Sequence, residues 1–304
     1  MEFLRLLEGL RFPLLDLVMQ FITEFGSETV FLITALILYW CIDKRKGYYL
    51  MAVGFIGTIA NQFLKITCRV LRPWDRWDIS YVESARGGAS GYSFPSGNSQ
   101  TAVGTFGVIA METKRGWLRI ISIALMVLVP LSRMYLGVHT PADVLVGSLS
   151  ALALVFLLRP VIYSERKWAF PLLLGFMIVC GAAFVAYMEL TEFPADVQIG
   201  NLEHAQKNAY TLLGSMLGFL AGYILDVKLL HFPVKAVWWA QILKVVLGLG
   251  LTVALRAILK VPLNALFNGH NAANLLRYFM MVFFAATIWP LTFHWFEKLG
   301  DNRK

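Results

Sequence analysis

WAFPLLLGFMIVCGAAFVAYME, residues 168–189, runs for 22 residues with one charged side chain, Glu189, at its end. As a helix rising 1.5 Å per residue it is about 33 Å long, enough to cross a hydrocarbon core of about 30 Å. Its apolar residues do not alternate with polar ones, and the run does not stop after about ten residues, so it does not read as a strand of a membrane barrel. Arg166 and Lys167 stand immediately before it, as basic residues do at the cytoplasmic end of a span.

Working outward, the same pattern recurs. Of the 304 residues, 58% are hydrophobic, against about 45 to 50% in soluble domains. Apolar windows fall at 27–42, 47–69, 96–112, 118–138, 141–159, 168–189, 207–225, 237–256 and 271–296, which predicts an all-α, polytopic transmembrane helical bundle of about nine spans. Residues 1–26 carry Glu8, Asp16 and Glu24 and a break at Pro13. They read as amphipathic helices at the outer interface, or else as a tenth crossing. No cleavable signal peptide is evident. The expected organisation is an interfacial segment (1–26), a core (27–165) and additional C-terminal transmembrane helices (166–304). Cys41, Cys68 and Cys180, odd in number and set in apolar stretches, read as buried free thiols rather than a disulfide framework.

The net charge of +8 does not point to nucleic acid, because the basic residues stand at the ends of spans. Lys44-Arg45-Lys46, Lys114-Arg115 with Arg119, Arg159 with Arg166-Lys167, Lys228 with Lys235, and Lys298 with Arg303-Lys304 all fall on one side, which the positive-inside rule makes cytoplasmic. Lys65, Arg69, Arg72, Arg76, Arg86 and Arg133 fall on the other side, against that bias, which implies an anionic partner.

Three stretches meet at that outer end. In KITCRVLRP (65–73), Lys65 and Arg72 are two helical turns apart and so project from one face, and Pro73 then discourages the helix from continuing. In PSGN (95–98), Pro95 suits a first helical turn, Gly97 admits a ligand to the backbone, and the free N–H groups favour a phosphate beside Ser96. In SRMYLGVHTPAD (132–143), His139 and Asp143 are four apart, so on a helix the carboxylate reaches one imidazole nitrogen and leaves the other as a nucleophile. Guanidinium groups, an ammonium, an anion-binding helix end and an oriented histidine make up the equipment for phosphoryl transfer.

The pattern K-x6-R-P, P-S-G and S-R-x5-H-x3-D resembles the type 2 phosphatidic acid phosphatase superfamily, the integral-membrane lipid phosphate phosphatases, over roughly residues 45–160. The resemblance implies a metal-independent reaction with no cofactor, on a phosphorylated lipid at the non-cytoplasmic face of the membrane. His139 would attack phosphorus to form a phosphohistidine and Asp143 would orient it. Lys65, Arg72, Ser96, Gly97 and Arg133 would hold the phosphate oxygens, with Ser132 in support.

Asn98 stands where that pattern has histidine. There a histidine donates a proton to the leaving oxygen and then helps activate water, and an amide does neither. Losing such a group costs about 10² to 10⁴ in rate. Two accounts of it stand: a shape-preserving asparagine that traps bound substrate, or a weak or inactive member of the family. Beside hydrolysis, two other activities fit the residues, a lipid phosphotransferase and a non-catalytic phosphate-lipid binder or transporter.

Outside the motifs, Asn268, His270, Asn271, Asn274 and Arg277 in FNGHNAANLLRYF (267–279) read as an interfacial loop and helix start, with headgroup contact as the alternative. Lys244, within a span, demands a partner that the sequence does not name. Asp75, Asp78 and Glu83 lack the spacing of a metal cage and read as solvated charges. His204, His231 and His294 receive no role.

Overall fold

The fold, taken from a computed structural model, is described for residues 2–195 and 197–299; Arg303 and Lys304 of the last basic cluster lie outside them. All regular structure among the described residues is helical: α1 (Glu2–Gly9), α2 (Pro13–Glu24), α3 (Glu28–Ile37), α4 (Lys44–Cys68), α5 (Pro73–Arg76), α6 (Glu83–Arg86), α7 (Gly97–Glu112), α8 (Gly116–Tyr135), α9 (Pro141–Ile162), α10 (Ala169–Leu190), α11 (Ile199–Leu225), α12 (Trp238–Leu266), α13 (Ala272–Phe283) and α14 (Phe293–Lys298). Among the described residues seven stretches are long and apolar enough to cross a membrane, and α2 with Glu28–Ile42, bent by 45°, makes eight if the pair is one span. The remaining expected span is α7, with 16 residues, or about 24 Å. The protein is an integral membrane protein of helical construction.

The chain divides into two compact units. The first comprises Met1–Thr34, Tyr49–Val161 and Glu192–Ala205. In it α7 and α8, joined by a short turn, pack antiparallel. Gly104 and Gly107 let α7 approach Val53 of α4 and Val155 of α9, where an added Cβ would stand 3.1 Å from either valine. α1 and α2 both lie against α8. Two of their acidic residues, which made the segment read as interfacial rather than spanning, have partners: Glu8 accepts from the Ser80 backbone N–H at 2.9 Å, and Asp16 from the Tyr135 hydroxyl at 2.7 Å. Arg11 donates to the carbonyls of Tyr135 and Ser80, each at 2.8 Å. Leu4 is buried with Ile79, Met134 and Val144.

The second unit comprises Ala35–Tyr48, Ile162–Thr191 and Gln206–Lys304. Gly214, Gly218 and Gly222 recur every four residues on α11 and line one face. A Cβ at Gly218 would stand 2.6 Å from the Phe279 carbonyl oxygen, so the backbones of α11 and α13 touch. Such close approach drives helix association in lipid, where no hydrophobic gain is available. Lys244 is fully buried; it donates to Val234 O at 3.2 Å and lies 4.3 Å from the Phe293 ring centre. The non-helical stretch 231–237 leaves that carbonyl free to accept. Asn271, Asn274 and Arg277 are hydrogen-bonded in series at the start of α13, Arg277 Nη2 donating to Asn274 Oδ1 at 2.6 Å. The cysteines are free thiols, but Cys68, expected buried, is exposed in the last turn of α4, and Cys41 and Cys180 are half-buried.

Candidate active site

α4 ends at Cys68 because Arg69 turns into the left-handed region, with φ 50°. Lys65 therefore sits in the last turn of α4, while Arg72 caps the separate helix α5 that Pro73 starts. The expectation that the two cations share one helical face fails: the chain reversal, not helical period, brings them to the same place. Ser93 N–H bonds Val70 O at 2.8 Å and holds the reversed strand against the segment before α7. Lys65 Nζ donates to the carbonyls of Tyr92 and Ser93. Arg72 donates to the carbonyls of Ser90 (2.8 Å), Gly91 (3.1 Å) and Val138 (3.0 Å).

Ser96 is the N-cap of α7, and Pro95 precedes the cap rather than entering the first turn. The Ser96 hydroxyl takes up the Ser99 N–H at 3.4 Å and the Ser99 hydroxyl at 2.9 Å. Its own N–H bonds Asp143 O at 2.9 Å. A Cβ at Gly147 would lie 2.5 Å from Ser96 O, so α9 reaches this end of α7 only through a glycine. Gly97 and Asn98 open the helix and are half-buried; the Asn98 side chain makes no hydrogen bond among the described residues.

Gly137, with φ 76°, turns the chain from the end of α8 into α9. Thr140 and Asp143 then form a reciprocal capping pair: Thr140 N–H donates to Asp143 Oδ2 at 2.8 Å, and Asp143 N–H to Thr140 Oγ1 at 3.2 Å. Pro141 occupies the first helical position. His139 thus lies before the helix, so its contact with Asp143 comes from the turn rather than from helical spacing. Asp143 Oδ2 is 3.5 Å from His139 Nδ1, and the Ser93 hydroxyl donates to the same oxygen at 2.5 Å.

Arg72 Nη1 lies 2.9 Å from His139 Nε2. A guanidinium only donates, so Nε2 presents a lone pair and Nδ1 carries the proton facing Asp143. Burial, and then the Arg72, Arg133 and Lys65 cations, hold the imidazole well below its usual range, outweighing the opposing bond to Asp143. His139 is neutral at pH 7. With it lie three buried cations, Lys65, Arg72 and Arg133, and one buried carboxylate, Asp143. Their formal charges sum to three minus one, or +2.

Arg133, in the last turn of α8 and 2% exposed, has one side-chain bond among the described residues, Nη1 to Thr23 Oγ1 at 3.0 Å. Its Nε and Nη2 are buried without partners among them. Ser132 bonds back to Val129 O at 2.7 Å within its own helix. A cavity of about 270 Å³ adjoins Arg72, lined also by Trp74, Asp75, Ser90, Gln198 and Asn201. His204, given no role by the sequence, sits 3.1 Å from the Ser90 hydroxyl. No group of three or more His, Cys, Asp or Glu among the described residues is placed to hold a metal.

Residues 45–167 match the PAP2 superfamily, and residues 210–302 match the transmembrane extension of PAP2 superfamily phosphatases. An undecaprenyl-diphosphatase of Sulfolobus acidocaldarius is 31% identical over 147 residues, covering 48% of this chain and 70% of the relative. A phosphatidylglycerophosphatase B of Bacillus subtilis is 30% identical over 163 residues, covering 49% and 76%. The chain belongs to the PAP2 superfamily. No solved structure matches it.

Lys65, Arg72, Ser96, Gly97, Asn98, Arg133, His139 and Asp143 of this PAP2 chain all lie in the first unit. Direct contacts join Arg72 to His139, His139 to Asp143, and Asp143 to Ser96 through the backbone. Arg133 meets them only as a charge acting on His139. Three residues escaped notice in the sequence. Thr140 was legible, since T-P-A-D is a capping sequence with proline at the first helical position. Ser93 and Thr23 carry no local signal, because their partners lie 50 and 110 residues away.

Proposed function

We propose that this PAP2 protein is a membrane lipid phosphatase that transfers the phosphoryl group of a phosphate monoester or diphosphate lipid to His139 and then to water. One observation carries the proposal: a buried imidazole whose Nε2 lone pair faces Arg72, held from behind by Asp143 and set among a formal excess of two positive charges. That excess matches a phosphate dianion. Arg72 must exchange its bond to Nε2 for one to a phosphate oxygen as substrate enters, which uncovers the nucleophile. The unpartnered donors of Arg133 and the first N–H groups of α7 take the other oxygens.

In the first step the Nε2 lone pair forms the P–N bond and the P–O bond to the leaving group breaks, its electron pair staying on the departing oxygen. In the second, water attacks phosphorus, the P–N electrons return to Nε2, and the water proton passes to solvent or to a leaving-group oxygen. Asn98 helps neither proton movement. A departing phosphate, with a pKa near about 6, leaves unaided far better than an alkoxide, whose conjugate acid resembles water at about 15.7. Diphosphate lipids are therefore the better substrates of this chain. The relatives named for an undecaprenyl diphosphatase and for a phosphatidylglycerophosphatase support both substrate classes for the fold.

Lys65, Ser96, Arg133 and His139 stand at one end of α4, α7, α8 and α9, while Lys114, Arg115, Arg119 and Arg159 stand at the other. The positive-inside rule sets the basic end in the cytoplasm and the reaction on the opposite face.

Asn98 also supports a second reading, a phosphate-lipid binder without turnover. The purified full chain in micelles, offered phosphatidic acid, phosphatidylglycerophosphate and a polyprenyl diphosphate, separates them. Inorganic phosphate released fastest from the diphosphate is the expected result. Phosphate appearing on an acceptor lipid would identify a phosphotransferase. Saturable binding with no release, persisting in Asn98→His, would establish the binder.

A further inference from the structure

We infer that Thr23, on the N-terminal helix α2 and outside the segment that matches the family, is a positioning residue of the phosphate site, acting through Arg133. The inference rests on the function proposed above. Arg133 is a buried guanidinium whose one side-chain hydrogen bond among the described residues goes to Thr23 Oγ1, at 3.0 Å. Thr23 is itself 2% exposed, so water does not take its place. A long side chain with several rotatable bonds keeps its donors aimed only where something fixes it, and here that anchor is a hydroxyl on another helix.

The end of α2 is built to be there. Gly26 N–H closes the last turn on Thr23 O at 2.9 Å. A Cβ at Gly26 would lie 2.6 Å from Asn98 O and 2.7 Å from Val129 Cγ1, so the backbone of this turn rests directly on the start of α7 and on α8 one turn before Arg133. Ile22 and Phe25 pack on Ala102, Phe106 and Val129. The N-terminal segment is thereby part of the wall of the site, and Thr23 is its polar contact with the anion-binding group.

The test uses orthovanadate, a phosphate mimic that binds without turnover, on the full chain in detergent, read as stabilisation against thermal unfolding across a vanadate titration. Thr23→Val keeps the shape and removes the acceptor, and it is expected to weaken vanadate binding about ten-fold. Thr23→Ser keeps the hydroxyl and is expected to bind as the parent does. Should the valine variant not fold, Thr23→Ala carries the same expectation. Equal vanadate affinity in parent and Thr23→Val, or a serine variant as weak as the valine one, overturns the inference and leaves the proposed function intact. A parent chain that takes no vanadate removes both.

Discussion

Asn98→His is expected to raise phosphate release by about 10²- to 10⁴-fold, or roughly 3 to 5 kcal/mol of barrier, while substrate affinity changes little. The side chain at this position is half-buried at the opening of α7 and holds nothing else in place, so histidine enters without displacing a bond. The gain should be larger for phosphatidic acid than for a diphosphate lipid, because the alkoxide needs the proton and the departing phosphate does not. Phosphate release by initial rates, with KM determined for each lipid, measures it. Equal rates in the two forms would defeat the assignment of an acid and base to this position.

His139→Ala is expected to remove turnover, by about 10⁴-fold or more, because it deletes the lone pair assigned the attack on phosphorus, while the Ser93 hydroxyl and the Lys65 amine are engaged as hydrogen-bond donors. A pH dependence follows from the environment of the imidazole. An ordinary histidine titrates near about 6.5, and His139 is held below that by burial and by the neighbouring cations. It stays neutral as pH falls through 6.5, so once the ionisation of the substrate phosphate near about 6 is allowed for, the rate should show no histidine limb there and decline from that cause only at lower pH. The same shift means that the unfolded chain binds the proton first. This group's contribution to stability is therefore complete above the ordinary value and is lost as pH falls from it towards the folded one. An activity limb centred near 6.5 that remains after correction for the substrate's own titration would show an imidazole in contact with bulk water.

Much of this was legible in the sequence, for definable reasons. Unbroken apolar runs such as 168–189 announce helical spans because the bilayer fixes their length, and the motif order announces the family. Local chemistry also reads well: T-P-A-D writes the start of α9, and P-S-G the cap of α7. Helical period, used to place Lys65 beside Arg72 and His139 beside Asp143, gave plausible neighbours by the wrong route. The chain leaves the helix at Arg69 in one case and has not yet entered it at His139 in the other. What stayed hidden was contact at long range. The partner of Lys244 is a backbone carbonyl freed by a break in the helix, and the partner of Arg133 sits in a segment whose acidic residues suggested an interfacial float. Two of those acidic residues, Glu8 and Asp16, bond Ser80 and Tyr135.

The covalent step is the centre of the account, and the Asn98 form is suited to reveal it, since a phosphoenzyme made quickly from a diphosphate and hydrolysed slowly must accumulate. Mixing the full chain with a polyprenyl diphosphate labelled in its terminal phosphate, quenching in base and mapping the label measures this directly. Acid-labile, base-stable phosphate on His139, absent from His139→Ala, is the predicted result. Labelled inorganic phosphate released at an undiminished rate with no protein-bound label, or label on any residue other than His139, would contradict it.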